Sequence, residues 1–206
     1  MTEDKTPIGC SDLQIPGYAS PYRKARTSHG GGIIVWAKTE LASGEIEVET
    51  DGHEVLWYTV KQTNSKHVIM CATYRPPSTD DTSVADYADK SLPELRRRGE
   101  AVILLGDFNW HSESWLGSNK PTDSAVQTEG VFASHGLEQM DDLPMRGENT
   151  LDLILTDIHT SRVKVSDREP LGKSDHCVLI ADVALNLASE PRTTRIVWDY
   201  GKADLD

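Results

Sequence analysis

Ala101-Val102-Ile103-Leu104-Leu105-Gly106-Asp107-Phe108-Asn109-Trp110-His111 runs five apolar residues into a carboxylate, a carboxamide, an indole and an imidazole. A short continuous apolar run of this kind reads as a strand buried on both faces. Aspartate and asparagine are also common turn and capping residues. The stretch therefore has two readings, an ordinary turn or a strand that delivers chemistry to one place, and the rest of the chain has to decide between them.

Two further strand candidates carry polar groups where a buried strand would avoid them. Asp152 lies inside Leu151-Asp152-Leu153-Ile154-Leu155, and Ser174-Asp175-His176 precedes an apolar run over 177–183. A carboxylate among apolar neighbours is costly unless it is paired, hydrogen-bonded or metal-bound. Taken singly, each has a plain explanation: Asp152 as an edge residue facing water, Asp107 as a turn aspartate, His176 as a satisfied histidine. Taken together they match what phosphodiester hydrolysis requires. That reaction needs a water made nucleophilic, a cation or donors on the nonbridging oxygens, and help for the leaving oxygen. Oxygen ligands such as Asp and Glu suit Mg²⁺. An imidazole pinned by a carboxylate has a fixed tautomer and a favoured charged state, and Asp152 could orient His176 in this way.

Around these motifs, strands are expected over 33–36, 46–50, 55–60, 68–74 and 163–165. Asp51-Gly52 is a hairpin-type dipeptide between the second and third of these, and Arg75-Pro76-Pro77 ends the fourth. Helical patterns cover 82–98, interrupted by Pro93, and 122–135, closing at His135-Gly136. Several strands against two helices predict a mixed sheet or a packed pair of sheets with helices outside.

The 206 residues suit one domain with a core of real size, and 37% hydrophobic with 26% charged residues is a globular composition. A net charge of −12 argues against a protein that coats nucleic acid passively, since phosphate contacts favour basic chains. It leaves room for an enzyme that meets phosphates through a cation held by carboxylates. The basic clusters Arg23-Lys24-Arg26 and Arg96-Arg97-Arg98 read as solvated surface charge. Cys10, Cys71 and Cys177 are odd in number and far apart, which favours reduced thiols and an intracellular protein. No run reaches the roughly 20 apolar residues that span a bilayer, and the amino terminus does not read as a signal peptide.

Gly-Asp-Phe-Asn after an apolar strand, Leu-Asp-Leu-Ile-Leu some forty residues on, and Leu-Gly-Lys-Ser-Asp-His last resemble the endonuclease/exonuclease/phosphatase superfamily. The likeness is greatest to the apurinic-type endonuclease domain of non-LTR retrotransposons. Ile15-Pro16-Gly17-Tyr18, Gly30-Gly31-Gly32-Ile33, Tyr74-Arg75-Pro76-Pro77, Trp115-Leu116-Gly117-Ser118 and Arg146-Gly147-Glu148-Asn149-Thr150 fall in the same order. The resemblance implies an α/β (α+β) fold of two packed mixed β-sheets flanked by helices, a four-layer sandwich. It implies a Mg²⁺-dependent DNA-nicking phosphodiesterase, with Mn²⁺ as an alternative ion.

Position by position, the resemblance gives Asp107 the attacking water and Asn109 the phosphate or that water. It gives His176 the scissile phosphate, Asp152 the imidazole, and Tyr74 a phosphate contact. Glu3 and Asp175 become metal ligands. Ser174, Trp110 and His111 become substrate-binding residues, the last two as walls of the cleft. Family domains begin with a strand that is expected to be missing here. Residues 1–187 are expected to form the domain and 188–206 a polar tail resembling the connector to a reverse transcriptase. DNA is the implied partner of a monomeric, nuclear protein outside the membrane. A catalytically impaired remnant of such a domain, and a phosphatase acting on inositol phosphates or sphingomyelin, are the alternatives.

Overall fold

Alternation along the central strands sorts their side chains onto two faces, and that division organises the molecule. The structure is a computed structural model that describes residues 10–27, 30–110, 123–140 and 151–188. In chain order the strands are β1 (Tyr22–Thr27), β2 (Gly30–Val35), β3 (Ser43–Ile46), β4 (Glu54–Lys61), β5 (His67–Tyr74), β6 (Ala101–Asp107), β7 (Glu138–Gln139), β8 (Asp152–Thr156), β9 (Val163–Arg168) and β10 (Val178–Val183). The helices are α1 (Asp81–Arg96) and α2 (Asp123–Ser134). One six-stranded sheet has the order β3-β4-β5-β6-β8-β7, and β1-β2 and β9-β10 are separate antiparallel pairs. The large sheet is mixed. Its β5–β6 pair is parallel, joined through α1, and its other pairs are antiparallel.

On one face, Ile69, Cys71, Val102, Leu104, Leu153 and Leu155 meet Val84, Tyr87, Leu92 and Leu95 of α1 and Phe132 of α2. Removing such surface from water contributes about 25 cal/mol per Å², so this contact is the main core. Polar ties cross the same interface. Trp57 Nε1 donates to the Tyr87 hydroxyl at 2.8 Å, and Asp157 accepts from the Val102 amide at 2.8 Å while pairing with Arg96 at 2.7 Å. On the other face, β2 packs through Ile33 on Leu56, Tyr58 and Ala72. The second pair packs through Val163, Val165, Leu179 and Val183 on Val68, Ile103 and Ile154. Met70 and Leu105 belong to both of these clusters. The α/β sandwich expected from the sequence is thus present, with the second layer made of two antiparallel pairs among the described residues.

Three local expectations shift. The strand placed over 46–50 lies instead at Ser43–Ile46. Beyond Ile46 the chain parts from β4, and Lys24 bridges the opening by donating to Thr50 Oγ1 at 2.7 Å and to the His53 carbonyl at 2.8 Å. Pro93 does not interrupt α1. It is exposed and removes one helix donor, while Leu92 and Leu95, both 0% exposed, hold the last turns to the sheet. The strand expected over 163–165 runs on to Arg168, paired with β10 throughout. At the carboxyl end of the described chain, Leu187 bridges to Gln62, and the Ala188 amide donates to Lys61 O at 2.8 Å.

Candidate active site

The site lies where three strands end together. Tyr74 closes β5 and pairs with Asp107, which closes β6. Asp107 pairs in turn with Asp152, which opens the antiparallel β8. The three form one row across the sheet, on the face opposite the helices. Directly opposed residues on neighbouring strands hold their Cβ atoms about 4.5–5.5 Å apart, so this register brings two carboxylates together. Gly106 makes the register possible. Its φ is +141°, and a Cβ there would come 1.9 Å from the Thr73 carbonyl oxygen. Only a glycine lets β5 and β6 approach so closely at this point.

His176 reaches the row from the loop before β10, and its Nδ1 lies 2.6 Å from Asp152 Oδ2. Ser174 shapes that loop, its hydroxyl oxygen accepting from the His176 amide at 3.1 Å. Asp107 Oδ1 accepts from the Asn109 amide at 3.1 Å. One ligand atom each from Asp107, Asp152 and His176 lie within 4.8 Å of one another.

The charges are coupled. Burial pushes the Asp107 carboxyl pKa up and the Asp152 charge pushes it further, against hydrogen bonds from Asn109 and the charge of His176. Burial works against a charged His176. The Asp152 hydrogen bond and charge, with Asp107 and Asp175 behind them, outweigh it, and the imidazole pKa rises. A protonated ring donates from Nδ1 to Asp152 and keeps an Nε2–H for another acceptor.

These donors fit a hard divalent cation. Two carboxylates from paired strand positions share the site with one imidazole, and burial and the Asp152 charge already work against ionising Asp107. A cation would relieve that repulsion, and Mg²⁺ commonly takes one or two carboxylates and keeps several waters.

The structure therefore brings together Asp107, Asp152 and His176, with Asn109 beside Asp107 and Tyr74 at the end of the row. Asp175 is exposed next to His176 and close enough for its charge to act on it. Trp110 is a correction. Expected as a wall of the cleft, it is 3% exposed and packs at ring distances of 4.9 Å from Phe108 and 5.5 Å from Phe132. Alternation sends Phe108 to the helix face, and the left-handed Asn109, φ +49°, turns Trp110 in beside it. Glu3 and His111 lie outside the described residues, as do the segments at 115–118 and 146–150 and the tail from 189. The sequence assigned no role to Arg75, which is 6% exposed and bonded to the carbonyls of Phe108, Thr79 and Asn109. An arginine set between a strand-ending tyrosine and two prolines was the available signal.

An α/β sandwich with Asp and His meeting at one end of its sheets is the architecture of the endonuclease/exonuclease/phosphatase superfamily, the class expected from the motifs. A family model described as endonuclease-reverse transcriptase matches residues 68–180. The chain belongs to this family. The endonuclease domain of TRAS1, a telomere-specific non-LTR retrotransposon, is similar in structure at a TM-score of 0.66 and 16% identity, covering 83% of this chain and 82% of that one. The 3′ phosphatase NExo from Neisseria, bound to product DNA hairpin, is similar at 0.57 and 13% identity, over 89% and 85%. The APE2 catalytic domain of Xenopus laevis follows at 0.54 and 14%, over 87% and 79%. At these identities the likeness is one of fold. No curated protein matches the chain in sequence. Among the described residues no helix is long and apolar enough to cross a membrane.

Proposed function

We propose that the chain is a divalent-metal-dependent phosphodiesterase that nicks DNA, acting in a protein that also carries a reverse transcriptase. The observation that carries the reading is the Asp152–His176 pair at 2.6 Å beside Asp107. Similarity to TRAS1 and the family's description support DNA as substrate and the polymerase as companion.

Asp107 accepts a proton from the attacking water, a task its raised pKa favours. Asn109 holds Asp107 in aim through its amide. Nε2–H of the His176 imidazolium donates to a nonbridging phosphate oxygen, and Asp152 fixes the ring and its charge. The Tyr74 hydroxyl donates to the same phosphate from the far end of the row. Water adds to phosphorus as the bond to the 3′ oxygen breaks; the leaving oxygen takes a proton from solvent and Asp107 returns its proton to solvent, giving a 3′-hydroxyl and a 5′-phosphate. The carboxylates of Asp107 and Asp152, with Glu3 and Asp175 as further ligands, would hold Mg²⁺ or Mn²⁺, which would supply positive charge against the phosphate oxygens.

Nicking of supercoiled plasmid in Mg²⁺ tests this. The chain converts the plasmid to open circles, EDTA stops it, and Asp107→Ala and His176→Ala each lower the rate about 1,000-fold while the melting temperature stays near that of the parent. Absence of nicking by the parent chain, or equal rates in the variants, overturns the proposal.

A further inference from the structure

Asp107 and Asn109 can act together only if the turn that joins them is held, and one buried side chain holds it. Arg75 Nε donates to the Phe108 carbonyl and Nη2 to the Asn109 carbonyl, each at 2.7 Å. Nη1 donates to the Thr79 carbonyl in the loop leading to α1. The bonding is reciprocal. Asn109 Nδ2 donates to the Arg75 carbonyl at 2.9 Å, and the Arg75 amide donates to the Asp107 carbonyl at 2.8 Å. The guanidinium carbon lies 5.9 Å from the centre of the Trp110 ring, within range of a cation–π attraction.

Two physical problems meet at this turn. Asn109 is left-handed at φ +49°, which is disfavoured for any residue with a Cβ. The carbonyls of Phe108 and Asn109 belong to residues that are 1% and 9% exposed, where an unpaired acceptor is costly. A planar guanidinium answers both, since its fork addresses several acceptors in fixed directions. A lysine ammonium is a point charge without that geometry.

We infer that Arg75 is a positioning residue for the reaction, clamping the carbonyls of Phe108 and Asn109 so that the Asn109 amide keeps the Asp107 carboxylate aimed at the reacting phosphate. The inference rests on the function proposed above, and its test is read in two ways, only one of which needs activity.

The full chain carrying Arg75→Lys is compared with the parent by amide hydrogen exchange and by nicking kinetics. Exchange at the Asn109 amide, the donor to Asp107 Oδ1, accelerates about tenfold, the weight of one hydrogen bond, while amides of β5 and β6 stay protected. The turnover rate falls about 100-fold, as expected for a misplaced catalytic group, with KM for DNA nearly unchanged. Unaltered exchange at Asn109, or an unaltered turnover rate in an active enzyme, overturns the clamp. If Arg75→Lys fails to fold, Arg75→Ala is titrated with methylguanidinium. Recovery of turnover with saturation supports the clamp, and recovery of the melting temperature without turnover refutes it. A parent chain that does not nick overturns the proposed function and leaves the exchange result to judge the clamp.

Discussion

The two faces of the six-stranded sheet are made by the same strands, yet they are built to opposite ends. On the helix face, Ile69, Val102, Leu104, Leu153 and Leu155 are between 0 and 4% exposed. On the other face Val68, Ile103 and Ile154 are as well buried, at 0, 3 and 5% exposed, but toward the row of acids Met70 and Leu105 are only half-buried, and a cavity of about 310 Å³ opens among Ile103, Leu105, Ile154 and Leu179 with Asp152 on its wall. The polar row Tyr74, Asp107 and Asp152 stands at the end of this second face. Close packing on one side supplies rigidity. The looser side tolerates two carboxylates that a sealed core would exclude. Stability and chemistry are thus separated by the two-residue period of a strand.

Three substitutions put the division between the faces to the test. Leu155→Ala on the sealed face should cost about 2–5 kcal/mol in denaturant unfolding, from lost burial and the cavity left behind. Nicking per folded molecule should stay the same, and a loss of activity with full stability would blur the division between faces.

Asp152→Asn on the open face should do the reverse, lowering nicking about 100-fold with little change in unfolding. It should also move the pH profile. Asp152 raises the His176 pKa, so the imidazolium that the reaction uses is lost as pH rises through that raised value. Without the carboxylate, the alkaline limb of activity should shift to lower pH. The same pairing contributes stability below the ordinary histidine range and loses it as pH rises through the folded pKa. An unmoved limb would show that another group sets it.

The smallest effect should be a gain. The Asp107 pKa is raised, so ionising it opposes folding, and the native state weakens as pH climbs from the unfolded pKa to the folded one. In metal-free buffer, Asp107→Asn should therefore melt higher than the parent at neutral pH. The advantage should vanish in acid, where the carboxyl is protonated in both states. A variant that melts lower at neutral pH would place the burden elsewhere.

Legibility in the sequence followed the range of the interactions. The apolar run before Gly106, the Asp51-Gly52 turn with φ of +48° and +84°, and the Gly136 helix end at +66° are local signals, and the structure has them. At Pro93 and over 46–50 the structure departs from the local pattern because tertiary contacts outweigh local preference. Leu92 and Leu95 hold the helix through its proline, and Lys24 stands where a ladder would have continued. The basic clusters held a similar lesson. Lys24 and Arg96 are half-buried structural donors, while Arg97 and Arg98 pair with Glu94 at the surface.

The residues alone place Asp107 just after one apolar run, Asp152 inside a second and His176 just before a third, and show which family this order of motifs resembles. Periodicity and turn chemistry are carried by neighbours along the chain, so both can be read from residues alone. Folding in three dimensions is what puts Tyr74, Asp107 and Asp152 in one row, sets Nδ1 of His176 on Asp152, and turns Trp110 into the core behind Arg75. Register, the direction of strand pairing and the partner of a buried guanidinium are agreements between segments tens of residues apart. An apolar period shows that a strand is buried, but leaves open which strand lies beside it.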